Sequence, residues 1–232
     1  MIRKVKNINF LLNSTNDIYK NFKTEIEECW KDFCQSNSHV FNGDVLSVLN
    51  IEELNQNFTI DVGWIKFCDV IYGKLVGNIK TRTLFLGGYL LTNDNYICLA
   101  QDQNNIINLI GGMASVEDFV NNEYKPELCL IRECKEEIGL DITNNNFNYN
   151  LRYLKYPVDT ETSKSHYPVG LIYEIKTKYS KQEINNFFVN GEHDNEIESL
   201  IFFKPSEYHL LNEFQKKDYI DNLCELISED YK

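Results

Sequence analysis

The 232-residue chain is short of proline (4), methionine (2) and histidine (4). So few prolines, with only 11 glycines, exclude collagen-like, linker-like and disordered content. The hydrophobic fraction of 43% and charged fraction of 25% are those of an ordinary folded protein. Long apolar runs are missing as well. Residues 83–92, the most apolar uncharged stretch, are about half of the roughly 20 residues that a membrane-spanning helix needs. The opening Met-Ile-Arg-Lys turns polar by Asn13, without the sustained apolar segment of a secretory leader. Seven cysteines (29, 34, 68, 98, 129, 134, 224) contain no Cys-x-x-Cys pair, which disfavours a zinc cluster or a disulfide framework. They read as small apolar residues in a reducing compartment, so a cytoplasmic location is expected. Histidines 39, 166, 193 and 209 show no zinc-ligating spacing. A Gly-x-Gly-x-x-Gly or P-loop phosphate cradle is absent too. Basic residues number 23 against 35 acidic ones, a formal charge of −12. Such a chain repels phosphodiester backbones, so non-specific nucleic-acid binding is not expected. A small phosphorylated substrate stays compatible, because one metal ion can invert the local field.

What is present is a regular alternation of elements without internal repeats. Residues 4–12 read as a strand. Residues 16–34 read as a helix, with Ile18, Phe22, Ile26, Trp30 and Phe33 at spacings of 4, 4, 4 and 3 and Asn16 and Asp17 at its start. Asn42-Gly43 marks a turn, and strand-like runs follow at 44–51 and 58–65. Residues 1–77 are therefore expected to form an N-terminal extension of strands and helix, able to shape a substrate site. Residues 78–232 form the main domain. In it, strands at 81–91 and 96–101 flank a hairpin turn at 92–95, and a short strand at 106–110 runs into Gly111-Gly112. A helix is predicted from Pro126 to Ile138, stopped by Gly139. Strands at 149–156 and 166–177, a helix at 181–188, a strand at 199–203 and a C-terminal helix to about 227 complete the chain. The order predicts a mixed α/β or α+β sandwich.

The informative segment is Arg132-Glu133-Cys134-Lys135-Glu136-Glu137-Ile138-Gly139-Leu140. At 100° per residue, Glu133, Glu136 and Glu137 fall within about 100° of arc. Leu128, Ile131, Cys134 and Ile138 lie opposite, which predicts a buried apolar face and a carboxylate face. A Glu-rich helix face is ordinarily just solvated. Here three carboxylates repel one another, and hard oxygen ligands so spaced suit Mg²⁺ or Mn²⁺.

Arg-Glu-apolar-x-Glu-Glu-x-Gly-apolar resembles the core of the Nudix hydrolase signature, matched here from Arg132 to Leu140. The resemblance implies a Nudix-like α/β/α sandwich with a mixed sheet over roughly residues 81–203. It implies Mg²⁺- or Mn²⁺-dependent hydrolysis of a nucleoside diphosphate linked to another moiety. Glu133 and Glu137 would be the principal metal ligands, and Glu136 a further ligand or the holder of a metal-bound water. Arg132 would orient acidic partners, and Gly111 and Gly112 would let the backbone approach metal or phosphate. One departure stands out. Gly112 and Arg132 are 20 positions apart, about six more than the signature usually has. The extra residues lie within 116–125, and Glu117, Asp118 and Glu123 are alternative partners for Arg132.

The general base is open between Glu196, just ahead of the apolar run 200–203, and Glu136. For the substrate, Trp30 with Val40-Phe41-Asn42-Gly43 is similar to an aromatic-plus-Phe-x-Gly segment of the UDP-sugar-cleaving Nudix branch. Gly170–Ile175, Ser180 with Glu183, and Ile201-Phe202-Phe203 are similar to the same branch. The expected substrate is a UDP-sugar such as UDP-glucose, cleaved to nucleoside monophosphate and sugar phosphate. ADP-ribose or dinucleotides, nucleoside triphosphates, capped mRNA and a non-catalytic ligand-sensing role are the alternatives. The residues leave the substrate-binding side chains unassigned, point to no membrane partner, and leave monomer and homodimer both open.

Overall fold

A computed structural model of the chain describes residues 1–13, 17–37, 40–76, 81–157 and 167–231. Asn16, His39, His166 and the proposed boundary at 77/78 lie outside the described residues. Elements run in the order β1 (Ile2–Lys4), β2 (Asn7–Leu12), α1 (Lys23–Ser36), β3 (Asp44–Leu54), β4 (Asn57–Lys66) and α2 (Phe67–Val76). Next come β5 (Leu84–Leu91), β6 (Ile97–Asp102), β7 (Ile106–Asn108), β8 (Phe119–Val120), β9 (Glu123–Tyr124) and α3 (Pro126–Ile138). The chain finishes with β10 (Phe147–Lys155), β11 (Val169–Thr177), α4 (Lys181–Asn190), β12 (Ile197–Phe203), β13 (Gln215–Lys216) and α5 (Ile220–Asp230).

The fold is α/β, as expected. A mixed eight-stranded sheet runs β1-β10-β11-β5-β6-β7-β13, with β12 pairing β6 along its whole length off this path. β5 and β11 are parallel; β10–β11 and β12–β6 are antiparallel. The alternation along β5 sorts its side chains between two cores. Leu84, Leu86 and Leu90 join the core under α3 and α4, with Cys129, Leu130, Cys134, Ile138, Ile184 and Phe188. Tyr89 and Leu91 face the other way and pack under α5, against Leu223, Cys224 and Ile227. Helices thus cover both faces of the sheet.

Strands β1 to β4 contribute to this body. The strand expected over residues 4–12 is two strands, of which β1 pairs with β10 in the main sheet and β2 with β4. Leu46, Val48, Phe58, Ile60 and Val62 from β3 and β4 are buried in the same core as α3. The expected helix over 16–34 begins as a 3₁₀ turn at Asp17–Phe22 and becomes α-helical at Lys23. A second helix, α2, was not legible in the sequence; the Asp69 carboxylate accepts the Lys66 N–H at its start (2.8 Å). α3 has the bounds that Pro126 and Gly139 predicted, with Gly139 left-handed at φ 68°.

Candidate active site

The carboxylate helix is turned differently from the simple two-face picture. Glu133 and Glu137 are buried, at 9% and 6% exposure, alongside Cys129, Leu130, Cys134 and Ile138. Leu128, expected on the buried face, is exposed at 36%. The interior face is therefore centred near Glu137, while Glu136 and Lys135 look outward. Two carboxylates can be drawn inside only where something polar meets them.

That something is the glycine pair. The Gly111 N–H donates to Oε2 of Glu137 at 2.7 Å. Gly111 has φ +148°, and a Cβ there would lie 2.1 Å from the Leu86 carbonyl oxygen. Only glycine fits such a backbone. Gly112 lies close against the Glu133 carboxylate: a Cβ there would stand 2.4 Å from Glu133 Oε1 and displace it. The Gly112 carbonyl accepts the Leu86 N–H (2.9 Å), so one of its two lone pairs is already engaged. Burial pushes Glu137 up to about 8; the Gly111 N–H opposes this, while the charges of Glu133, Glu196 and Asp194 add to it. Burial likewise raises Glu133, against the pull of Arg132.

Of the three candidate partners for Arg132, the structure picks Asp118. This carboxylate is 1% exposed and lies 3.7 Å from the guanidinium. Glu123 instead pairs with Lys125 at 2.7 Å, and Glu117 is exposed. Arg132 also reaches Glu133 (2.5 Å), Glu136 (3.3 Å) and the Met113 carbonyl (3.4 Å). Burial would lower the Arg132 pKa, but the charges of Glu133 and Asp118 outweigh it and hold the guanidinium protonated. It is the cation at the hub of the carboxylates. The six-residue surplus folds into the β8–β9 hairpin, turning at Asn121 and Asn122 with φ 52° and 62°. Phe119 packs on Trp64 and Tyr124 on Phe10, with ring centroids 4.9 Å apart in each pair. The insertion is clamped to the small sheet, so α3 keeps its place beside Gly111-Gly112.

The loop between α4 and β12 is tied to α3. The Asp194 N–H donates to the Glu136 carbonyl at 2.7 Å, and the Asp194 carboxylate accepts the Glu196 N–H at 3.0 Å. Gln103 holds the Asn195 carbonyl from the facing hairpin. Glu196 is exposed, yet near enough for its charge to raise both Glu133 and Glu137. The structure thus brings Arg132, Glu133, Glu136, Glu137, Gly112 and Glu196 together. Asp194 was missed; its only signal was the acidic run Asp194-x-Glu196-x-Glu198.

Of the residues read for substrate choice, Ser180, Glu183 and Trp30 have structural explanations, and Phe41 does not pack. Ser180 and Glu183 form the capping box of α4. Trp30 stacks on Phe33 (5.8 Å) and meets Phe67 edge-on (6.2 Å), while Phe41 stands 83% exposed. Substrate-sized space lies elsewhere. A cavity of about 660 Å³ is bordered by Gly111, Gly112 and Met113 and by Phe85, Asn108, Lys155, Lys217 and Tyr219.

Among the described residues, no group of three or more His, Cys, Asp or Glu side chains is placed to hold a metal ion. The donors gathered here are nevertheless all oxygens, the chemistry Mg²⁺ or Mn²⁺ takes. Mg²⁺ is ordinarily held by one or two carboxylates plus substrate phosphates rather than by an all-protein cage. Glu133, Glu137 and the Gly112 carbonyl fit that incomplete set. No described helix is long and apolar enough to cross a membrane.

No family model matches the chain, and no curated protein does. The solved structures it is similar to include Nudix hydrolases. A Nudix-family hydrolase from Clostridium perfringens is 17% identical with a TM-score of 0.40, over 65% of this chain and 99% of that one. A Nudix hydrolase from Nitrosomonas europaea is 12% identical, also at 0.40, over 65% and 88%. A UDP-X diphosphatase is 16% identical at 0.37, over 68% of each chain.

Proposed function

We propose that the chain is a divalent-metal-dependent Nudix pyrophosphohydrolase. The carrying observation is the burial of Glu133 and Glu137 against Gly111-Gly112, with Arg132 held on Asp118 behind them. Burying two acids of one sign is costly, and a bound cation relieves that cost. When bound, the ion supplies neutralising charge to the diphosphate and acidifies water. Glu133, Glu137 and the Gly112 carbonyl would hold it. Arg132 fixes Glu133 and Glu136 in place. Glu196 is our general base: it is exposed, beside the buried carboxylates, and its loop is tied to α3 through Asp194. Glu136 is engaged with Arg132 at 3.3 Å, which favours Glu196 for taking the proton.

For the substrate we propose a nucleoside diphosphate carrying a further group, a UDP-sugar such as UDP-glucose being the leading member. The support is a room of about 660 Å³ opening from the glycine pair, enough for one end of a two-ended molecule. The acidic charge of −12 disfavours capped RNA and non-specific nucleic acid. A hydrolysis screen tests the reading. UDP-glucose, ADP-ribose, a dinucleotide, capped RNA and nucleoside triphosphates are incubated with Mg²⁺ or Mn²⁺, and products are separated by ion exchange. Nucleoside monophosphate plus sugar phosphate from UDP-glucose is the expected result. No metal-dependent product from any of them would leave only a ligand-binding role.

A further inference from the structure

The cavity beside the glycine pair has a composition unlike that of the chain as a whole. In a protein with 35 acidic and 23 basic residues, its described lining holds two lysines, Lys155 and Lys217, against one acid, Asp218. Lys155 is aimed by aromatic faces: its ammonium stands 4.9 Å from the Tyr219 ring centroid and 5.5 Å from that of Phe85. Tyr219 is buried, and its hydroxyl donates to Asn108 Oδ1 at 2.5 Å. With that oxygen engaged, the Asn108 amide meets a ligand through its NH₂. The parallel pairing of β13 with β7 brings the 217–219 segment to the cavity, and α5 begins directly after it. This wall therefore comes from the C-terminal segment, beyond the stretch that the hydrolase signature covers. The cavity communicates with the carboxylates through shared residues. Gly111 and Gly112 line it, while Gly111 donates to Glu137 and Gly112 abuts Glu133.

We infer that this cavity is the nucleotide subsite, with Lys155 and Lys217 pairing the phosphate nearest the nucleoside and Asn108 and the half-buried Phe85 meeting the base, while Tyr219 backs Lys155. Ammonium groups recognise phosphate by charge, and aromatic and amide groups recognise a planar, hydrogen-bonding base. The volume of about 660 Å³ lies within the usual range of small-molecule pockets. Diphosphate chemistry then falls at the mouth, on the α3 side, and the leaving group extends away from the cavity. The assignment deepens the hydrolase reading and rests on it only for the direction of the diphosphate.

The test is metal-free binding to the full chain. Uridine 5′-monophosphate, adenosine 5′-monophosphate and ribose 5-phosphate are titrated by calorimetry in EDTA, into wild type, Lys155→Met and Lys217→Met. Lys217 is exposed, so its variant keeps the fold even if Lys155→Met does not. The expected result is binding of at least one nucleotide at least tenfold tighter than ribose 5-phosphate. Each lysine variant should weaken it at least fivefold. Equal affinity for ribose 5-phosphate, no nucleotide binding by wild type, or Lys217→Met within twofold of wild type overturns the assignment. Hydrolysis separates the two readings. Lysine variants with wild-type KM for an active diphosphate substrate sink the subsite and spare the hydrolase. Lysine-dependent nucleotide binding without any hydrolysis does the reverse.

Discussion

Replacing Glu137 by Gln should make the metal-free protein more stable while removing its activity. The carboxyl is buried and held at about 8, against an ordinary value of 4.5. Its pKa is raised in the folded state, so between these values the native chain holds a proton that the unfolded chain releases. Stability from this group is thus fully present below 4.5 and is lost as pH climbs toward 8. At pH 7 the penalty works out at about 3 kcal/mol from the linkage relation. Gln carries no charge in either state, so the penalty disappears. Its amide oxygen can still accept the Gly111 N–H, now as a weaker neutral hydrogen bond, so a net gain of about 1–3 kcal/mol is expected. The assay is urea unfolding of both proteins in EDTA at unit pH steps from 5 to 8. The stability difference should grow with pH by up to about 1.4 kcal/mol per unit. A variant less stable than wild type at pH 8, or a difference that does not change with pH, refutes the reasoning. Added Mg²⁺ should stabilise wild type by mass action and do so far less for Glu137→Gln, whose turnover should fall by orders of magnitude.

Glu196→Gln should lower kcat at least about 100-fold while leaving KM and Mg²⁺ affinity within about twofold, as loss of a general base does; steady-state kinetics with a metal titration decide it, and a kcat within about threefold passes the role to Glu136. Asp118→Asn keeps a side-chain oxygen for the Ser115 N–H that Asp118 accepts at 2.8 Å but strips Arg132 of a buried counter-charge. It should cost about 1–3 kcal/mol in unfolding experiments and lower kcat/KM; unchanged kinetics would show that Arg132 needs no anchor. Gly111→Ala forces a Cβ to 2.1 Å from backbone and should prevent soluble expression, whereas Gly112→Ala meets the movable end of Glu133 and should weaken Mg²⁺ binding while keeping the fold, as read by circular dichroism and metal-dependent melting. A chain beginning at Lys80 lacks Leu46, Val48, Phe58, Ile60 and Val62 of the α3 core and should fail to fold; a cooperative melt from that fragment would establish the first 79 residues as a separable unit.

The identity of the carboxylate helix was written in residues close together in the chain. Pro126 at its start, Gly139 at its end and Arg132, Glu133, Glu136 and Glu137 between them are local in sequence, and local spacing on a helix has one geometric meaning. The strands around the Thr92–Asn95 turn and the run into Gly111-Gly112 were legible for the same reason. Tertiary structure decided what depends on contacts between distant segments. Which side of α3 turns inward could not be read from hydropathy. Periodicity places Glu133 and Glu137 on the polar side, while a bare glycine backbone from another segment supplies the polar lining that takes them inside. The partner of Arg132 was undetermined among three acids because an inserted hairpin breaks the spacing, and only the clamp of Phe119 on Trp64 and Tyr124 on Phe10 sets Asp118 behind the guanidinium. Asp194 and the Lys155–Phe85–Tyr219 wall were invisible for a like reason. Phe85, Lys155 and Tyr219 are dispersed along the chain, and the pairing of strands through one sheet is what brings them to a single cavity.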